Sequence, residues 1–507
     1  MGPLLTHRVR ALGVFALVSG CVPDDWTPRR PAADASLADV ARSVDVTVDT
    51  CAADATTCRE RFTRGLAFSS GGDLRGLRVV RTDDRYYALG SFTGRLDASA
   101  DSPSIPSVVA LRGLILALDR GGLYRWHRLF DATGTSARLT LGDVVASRAG
   151  DLFVTGLYVA TPSFGALAPS PTGPFPASFV ACITRDNALR WARALTPALG
   201  APAVAVAPSG EVVVVGSMQG AADLGSGTTD GAINRGYVAR YDPATGAYRA
   251  SVVYPFQFGL GAVAVAPDGT VFIGGGGYGI PGNSNNTAHL ANPAQPLPVQ
   301  YMNFSAPFVA RLDATGSSVW ARAWPGAYQS SVIDLALTSD GHLAARFVFS
   351  NDRSASVAAR LGGGDITIVG ANPVHVLALY RADDGSHRAS WPTAFCDGAL
   401  GGVEPAQSGD LVLVGTVCGT STFGAERFTG LAEATPYGVV ARYSPDGVVR
   451  WARQASRGPG ALTALAIDTE GVAVAGSTLE GVAVDLGGGV WTPPNIRPSW
   501  FATRFIP

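Results

Sequence analysis

A single short pattern is written several times along the chain. At Phe308–Gly326 it reads FVARLDATGSSVWARAWPG: an apolar run, a polar Asp-Ala-Thr-Gly turn, and a second run carrying Trp320 and Trp324. It returns as FVACITRDNALRWARAL, GVVARYSPDGVVRWARQ and LILALDRGGLYRWHRL. Segments repeating at this scale bury their apolar faces against one another, so the fold is built of stacked like units. The whole unit is clearest over Ala203–Tyr254. AVAVAPSG gives a strand and turn, EVVVVGS a second strand ending near Gly216, GYVARYDPATG a third and AYRASVVY a fourth. Valine-rich runs mark the strands, and SG, DG and TG the hairpins. The second-strand glycine returns at Gly90, Gly156, Gly275, Gly415 and Gly476, with Phe347 once in its place, making seven units about 60 to 70 residues apart. Fourth strands carry Trp126, Trp191, Trp320 and Trp451 in one place, with Tyr248 and His387 there by looser alignment. Arg128, Arg193, Arg322 and Arg453 follow two residues later, on the same strand face.

Four-stranded units set radially around a channel predict an all-β fold, a seven-bladed β-propeller, with six or eight blades as the alternatives that the irregular fifth unit leaves open. The last unit ends on a third strand, WFATRFIP. RERFTRGLAF, where Phe62 and Arg64 echo the W-x-R pattern, is expected to complete that blade, so that the N-terminal strand closes the ring and covers its edges. The run A-x-A-(S/D)-G-x-V-x-V-G, a D-L-G or F-G turn (Asp223-Leu224-Gly225, Asp485-Leu486-Gly487, Phe164-Gly165, Phe423-Gly424) and F-V-A-R-L-D-x-x-G-x-x-x-W resemble the SBBP-type β-propeller repeats of secreted bacterial proteins. Ala310, Asp313, Thr315, Gly316 and Trp320 are also similar to the docking motif of quinoprotein-like propellers, which include dehydrogenases and outer-membrane assembly scaffolds. Such resemblances imply a fold rather than an activity.

The N-terminus supplies an address. His7, Arg8 and Arg10 precede the apolar run ALGVFALV, too short to span a bilayer, which ends in Val18-Ser19-Gly20-Cys21. VSGC resembles a bacterial lipobox, implying lipidation of Cys21, and Val22 in the next position favours the outer membrane. The expected layout is a signal peptide over 1–20, a Pro-, Ala- and Asp-rich tether over 21–57, and the propeller over 58–507. Cysteine use suits export: Cys51 with Cys58, and Cys396 with Cys418, are candidate disulfides, while Cys182 reads as a buried thiol.

Net charge is -1, no basic run appears and lysine is absent, so nucleic acid is not an expected partner. No catalytic, cofactor or metal site is read from the sequence. Asp313, Asp340, Asp384 and Asp446 fall in hairpin turns and read as structural. No D-x-D-x-D-G calcium loop, vicinal cysteine pair or G-K-(S/T) phosphate loop is present. His127, His289, His342, His375 and His387 stand at no ligand spacing, and the repeated tryptophans read as inter-blade packing.

Departures from a repeat are where function concentrates. The largest is Gly277–Pro307, offering Tyr278, His289, Tyr301 and Phe304 as a candidate binding loop at the channel mouth. The resulting expectation is a monomeric, lipid-anchored, non-catalytic envelope propeller gripping a protein or glycan partner, with no cofactor. The alternatives are a propeller enzyme (a quinoprotein-like dehydrogenase, or a glycosidase or lyase), which requires converging carboxylates or histidines at the channel, and a surface carbohydrate-binding protein.

Overall fold

The computed structural model describes residues between 61 and 506 except for connecting stretches, the longest being 98–104, 166–175, 279–286, 299–305 and 492–498. The chain is an all-β propeller. Its elements are antiparallel four-stranded meanders, as in Ala132–Ala146, Leu152–Pro162, Ala177–Ile183 and Leu189–Pro197, paired in sequence order. The first strands of successive meanders lie side by side. Leu74–Arg81 neighbours Ala132–Ala146, which neighbours Ala203–Val206, and the second half of Tyr248–Val265 comes next. Gln329–Leu337, Val403–Pro405 and Gly460–Ile467 follow, and Gly460–Ile467 lies back against Leu74–Arg81. That return defines an axis lined by first strands. Below, each meander is named by the first residue of its first strand: Leu74, Ala132, Ala203, Gln257, Gln329, Val403 and Gly460.

Hydrogen bonding does not give the seven separate, equal sheets expected. Among the described residues, sheets of nine, four, seven, four and four strands form, with five two-stranded hairpins beside them. Two continuities cause the merging. Tyr248–Val265 runs unbroken from the Ala203 meander into the Gln257 meander, pairing with Ile233–Tyr241 and then with Val271–Tyr278. Leu66–Ser70 pairs both with Ser499–Ile506 and with Arg85–Asp97. Arg61–Phe62 also lies on Ser499–Ile506.

The recurring glycine has a steric reason. Gly156, Gly216 and Gly275 pair directly with Phe179, Tyr237 and Phe308 on the third strand. A Cβ on Gly216 would stand 2.8 Å from the Tyr237 hydroxyl, and one on Gly156 2.6 Å from the Phe179 ring. The Gln329 meander inverts the pair: Phe347 takes the glycine position and the smaller Val376 sits opposite. At Gly415 the ring comes instead from Phe395 in the connector, 2.5 Å from a virtual Cβ.

Register corrects one sequence alignment. Trp126, Trp191, Trp320 and Trp451 pair with Ala117, Cys182, Arg311 and Arg442, each three residues beyond the partner of the second-strand glycine. Tyr248 and His387 pair one residue further along, with Tyr241 and Tyr380, so they match Leu189 and Ser318. The tryptophan position is held there by Ala250 and Ala389. Phe62, opposite Phe505, likewise falls short of it, so RERFTRGLAF is not in W-x-R register. For Tyr248 and His387 the reason is turn length: six residues separate Tyr241 from Tyr248 and Tyr380 from His387, against five between Ile183 and Leu189 or Leu312 and Ser318, while the β-bulge that follows is common to both kinds of meander.

The tryptophans do pack between meanders. Trp191 donates its indole N–H to the Pro243 carbonyl (2.9 Å), Trp126 to Arg185 (3.1 Å) and Trp320 to Ala382 (3.1 Å), each time in the third-to-fourth strand turn of a neighbouring meander. Arginine two residues on grips the same turn: Arg322 donates to the Asp384 carbonyl (3.1 Å), Arg193 to the Gly246 carbonyl and Arg128 to the Asn187 side chain (2.9 Å). The turn residue beneath each indole has positive φ. Gly246 (66°) and Gly385 (69°) lie so close that a Cβ would stand 2.5–2.6 Å from the ring, while Asn187 (68°) holds this conformation beneath Trp126. Where alanine replaces tryptophan, the position two residues on substitutes: Val252 packs on Gly316 and Trp391 on Gly447.

Candidate functional site

Among the described residues, those singled out from the sequence do not converge. Cys21, Cys51, Cys58, Tyr301 and Phe304 lie outside the described residues. The backbone of Tyr278 ends the strand Val271–Tyr278, opposite Gln257. His289 follows Thr287–Ala288, which pairs with Leu297–Pro298 in a two-residue ladder. Leu290 and Leu297 are buried with Phe308 and Leu312. The Leu290 carbonyl accepts from Ser318 N–H (3.0 Å), and Asn292 Nδ2 donates to the Ser318 carbonyl (2.8 Å). Ser318 opens the fourth, outermost strand of the Gln257 meander, so the described part of the insertion is fastened to the outside of the propeller and not to an axial mouth.

Cys396 and Cys418 form a disulfide, with Cα atoms 5.8 Å apart, tying the connector after His387–Pro392 to the end of Leu411–Cys418. It fixes Phe395 over Gly415. Replacing both cysteines by serine is expected to lower stability by about 3 kcal/mol, the cost of freeing a loop of this size. Denaturant midpoints with and without a dithiol reductant measure it; equal midpoints refute it. Cys182 is a buried thiol whose pKa burial pushes up to about 12, which leaves no thiolate nucleophile at neutral pH.

Histidines and turn aspartates are engaged locally. His127 Nδ1 meets the Tyr124 hydroxyl at 2.9 Å. His342 lies between Asp340 (3.1 Å) and Arg388 (2.9 Å), and His387 stands edge-on to Tyr380. Asp313 Oδ1 accepts from the amides of Thr315 (2.8 Å) and Ser317 (3.0 Å), the expected turn role.

Convergence occurs among residues the sequence did not single out. Arg78, Asp143 and Asp334 occupy one register position on the first strands of the Leu74, Ala132 and Gln329 meanders. The corresponding residues elsewhere are small: Ala203, Ala262, Gly402 and Ala464. The three charged groups therefore share a level of the axis, and Asp334 feels both Arg78 and Asp143. Each aspartate joins two meanders. Asp143 accepts from Val144 N–H (2.9 Å) and from Val204 N–H of the next first strand (3.0 Å). Asp334 does the same with Leu335 (2.9 Å) and Val403 (2.8 Å). Two residues beyond Gly402, Glu404 accepts from Ile467 N–H of the Gly460 meander (2.9 Å). Burial raises all three carboxyl pKa values, that of Asp334 to about 6 and that of Glu404 to about 8, the latter helped by the charge of Asp334. Arg346, fully buried opposite Asp334, donates to the Val414 carbonyl (3.2 Å) and lies over the Phe395 ring. Once the repeats are superposed, the signal is plain: aspartate in LGDVVA and VIDLAL stands where AVAVAP has alanine.

No known protein family and no well-characterised protein matches the sequence. Solved structures similar to the chain include the Dos1 propeller (10% identity, TM-score 0.39, 87% of this chain and 94% of that one). BamB from Moraxella catarrhalis is similar at 11% identity and TM-score 0.34, over 87% and 97% of the two chains. The quinohemoprotein alcohol dehydrogenase ADHIIG from Pseudomonas putida HK5 follows at 11% and 0.38, over 86% and 77%. The propeller assignment rests on the strand pairing above, and no activity is carried over from these likenesses.

Proposed function

We propose that the chain is a lipid-anchored, non-catalytic propeller of the bacterial envelope, a seven-bladed ring serving as an interaction or scaffold module. One observation carries this reading. Asp143, Asp334 and Glu404, half-buried carboxylates on the first strands, are each occupied in holding the backbone of the adjoining meander. The cyclic order of first strands supports seven blades, and the pairing of Arg61–Phe62 and Leu66–Ser70 with Ser499–Ile506 supports closure by the N-terminal strands. The VSGC sequence supports the anchor.

Anchoring is tested by Cys21→Ala: the variant is expected to leave the membrane fraction, and unchanged attachment would disprove it. Partner capture is tested with a photo-crosslinking residue at Ser284 in the anchored protein in its own cells. A discrete adduct is expected there and not from the same residue at Thr245. The enzyme reading draws on the axial level of Arg78, Asp143 and Asp334. Turnover of a substrate that is abolished by Asp143→Asn in a folded protein would replace the scaffold reading with it.

A further inference from the structure

The axial carboxylates have a property that a scaffold role does not require. Each crosses a seam between adjacent meanders, yet they sit within one another's fields. Glu404 faces the negative Asp334 and the positive Arg81, besides the Ile467 amide of the strand packed against it. Asp334 in turn faces Arg346 on its own sheet, Arg78 on Leu74–Arg81 and Asp143 on Ala132–Ala146. An ionised Glu404 places a second negative charge beside Asp334 at a half-buried position. A protonated one keeps an oxygen for Ile467 N–H without that repulsion.

We propose that these carboxylates form a proton-sensitive seam, in which gain and loss of a proton at Glu404 tighten and loosen the joint between the Val403 and Gly460 meanders. The sign follows from linkage. Burial, and secondarily Asp334, raise the folded carboxyl to about 8, so the folded chain binds more protons than the unfolded one from the ordinary carboxylate range up to that pH. The stabilisation is complete below the ordinary range and is lost as pH rises through the folded value.

Thermal unfolding of the full chain from pH 6 to 9.5, beside amide exchange at Ile467, tests the seam with Glu404→Gln, which keeps the acceptor and cannot ionise. The wild-type midpoint is expected to fall across the interval. Ile467 exchange, corrected for intrinsic base catalysis, should quicken by about 10-fold or more, a local opening of the seam. In the variant both should stay level above about pH 7, once Asp334 has ionised. Equal pH slopes in the two proteins overturn the proposal. If Glu404→Gln fails to fold, Asp334→Asn decides. Without the neighbouring negative charge the fall should move to lower pH, and an unmoved fall overturns the proposal as well.

Discussion

Trp320→Ala is expected to destabilise the propeller by about 3–5 kcal/mol, the usual loss for a large buried aromatic. Only 4% of Trp320 is exposed; its indole covers Gly385, packs beside Phe272 and donates to the Ala382 carbonyl. The deletion removes packing and also leaves a carbonyl of the neighbouring meander without its donor. Trp320→Phe keeps most of the packing and should cost about 1 kcal/mol for the hydrogen bond. Denaturant midpoints of the two variants distinguish a clamp from mere surface cover: similar small losses in both would show that the turn does not depend on the indole. Trp451→Ala is the internal control. It is half-buried, with partly different neighbours around Val474 and Ile467, and a smaller loss is expected.

Gly216→Phe should be more damaging still, because a Cβ alone would meet the Tyr237 ring and hydroxyl at 2.8–3.1 Å. Overpacking by a whole benzyl group has no rotamer to retreat into, and we expect the single variant not to fold. The molecule contains the remedy. Phe347 opposite Val376 does in the Gln329 meander what Gly216 opposite Tyr237 does in the Ala203 meander. Gly216→Phe combined with Tyr237→Val should therefore recover the cooperative unfolding transition that Gly216→Phe alone lacks. A double variant as unfolded as the single one would mean that the two pairings are not interchangeable.

These pairs also show how much the sequence told. Strands, hairpins and the unit repeat were legible because alternation, turn glycines and recurring tryptophans are local signals. The docking role of tryptophan was legible for a similar reason: what recurs in many units contacts what recurs in the next. Tyr248 and His387 were misplaced because the turn before them is one residue longer than in the tryptophan-bearing meanders, a difference that apolar alternation does not mark. Merging of meanders through Tyr248–Val265 was hidden too, since Pro255-Phe256 reads as a break between strands. The axial charges were missed for a different reason. Arg78, Asp143 and Asp334 are far apart in the chain, each looks like an ordinary polar residue in a strand, and only the closing of the ring brings them to one level. For the insertion, Leu290 and Leu297 are the residues that decide where its described part lies.

The three indole clamps, Trp126 to Arg185, Trp191 to Pro243 and Trp320 to Ala382, point the same way, from an earlier meander to the turn of the one made after it. During synthesis each meander thus emerges carrying the grip for its successor, and assembly can proceed in the order of translation. The strands Leu66–Ser70 and Ser499–Ile506 are the exception, since the first must wait for nearly the last. A ribosome stalled before residue 499 would release a chain whose Val472–Thr478 strand lacks its partner, an open edge ready to pair with another molecule.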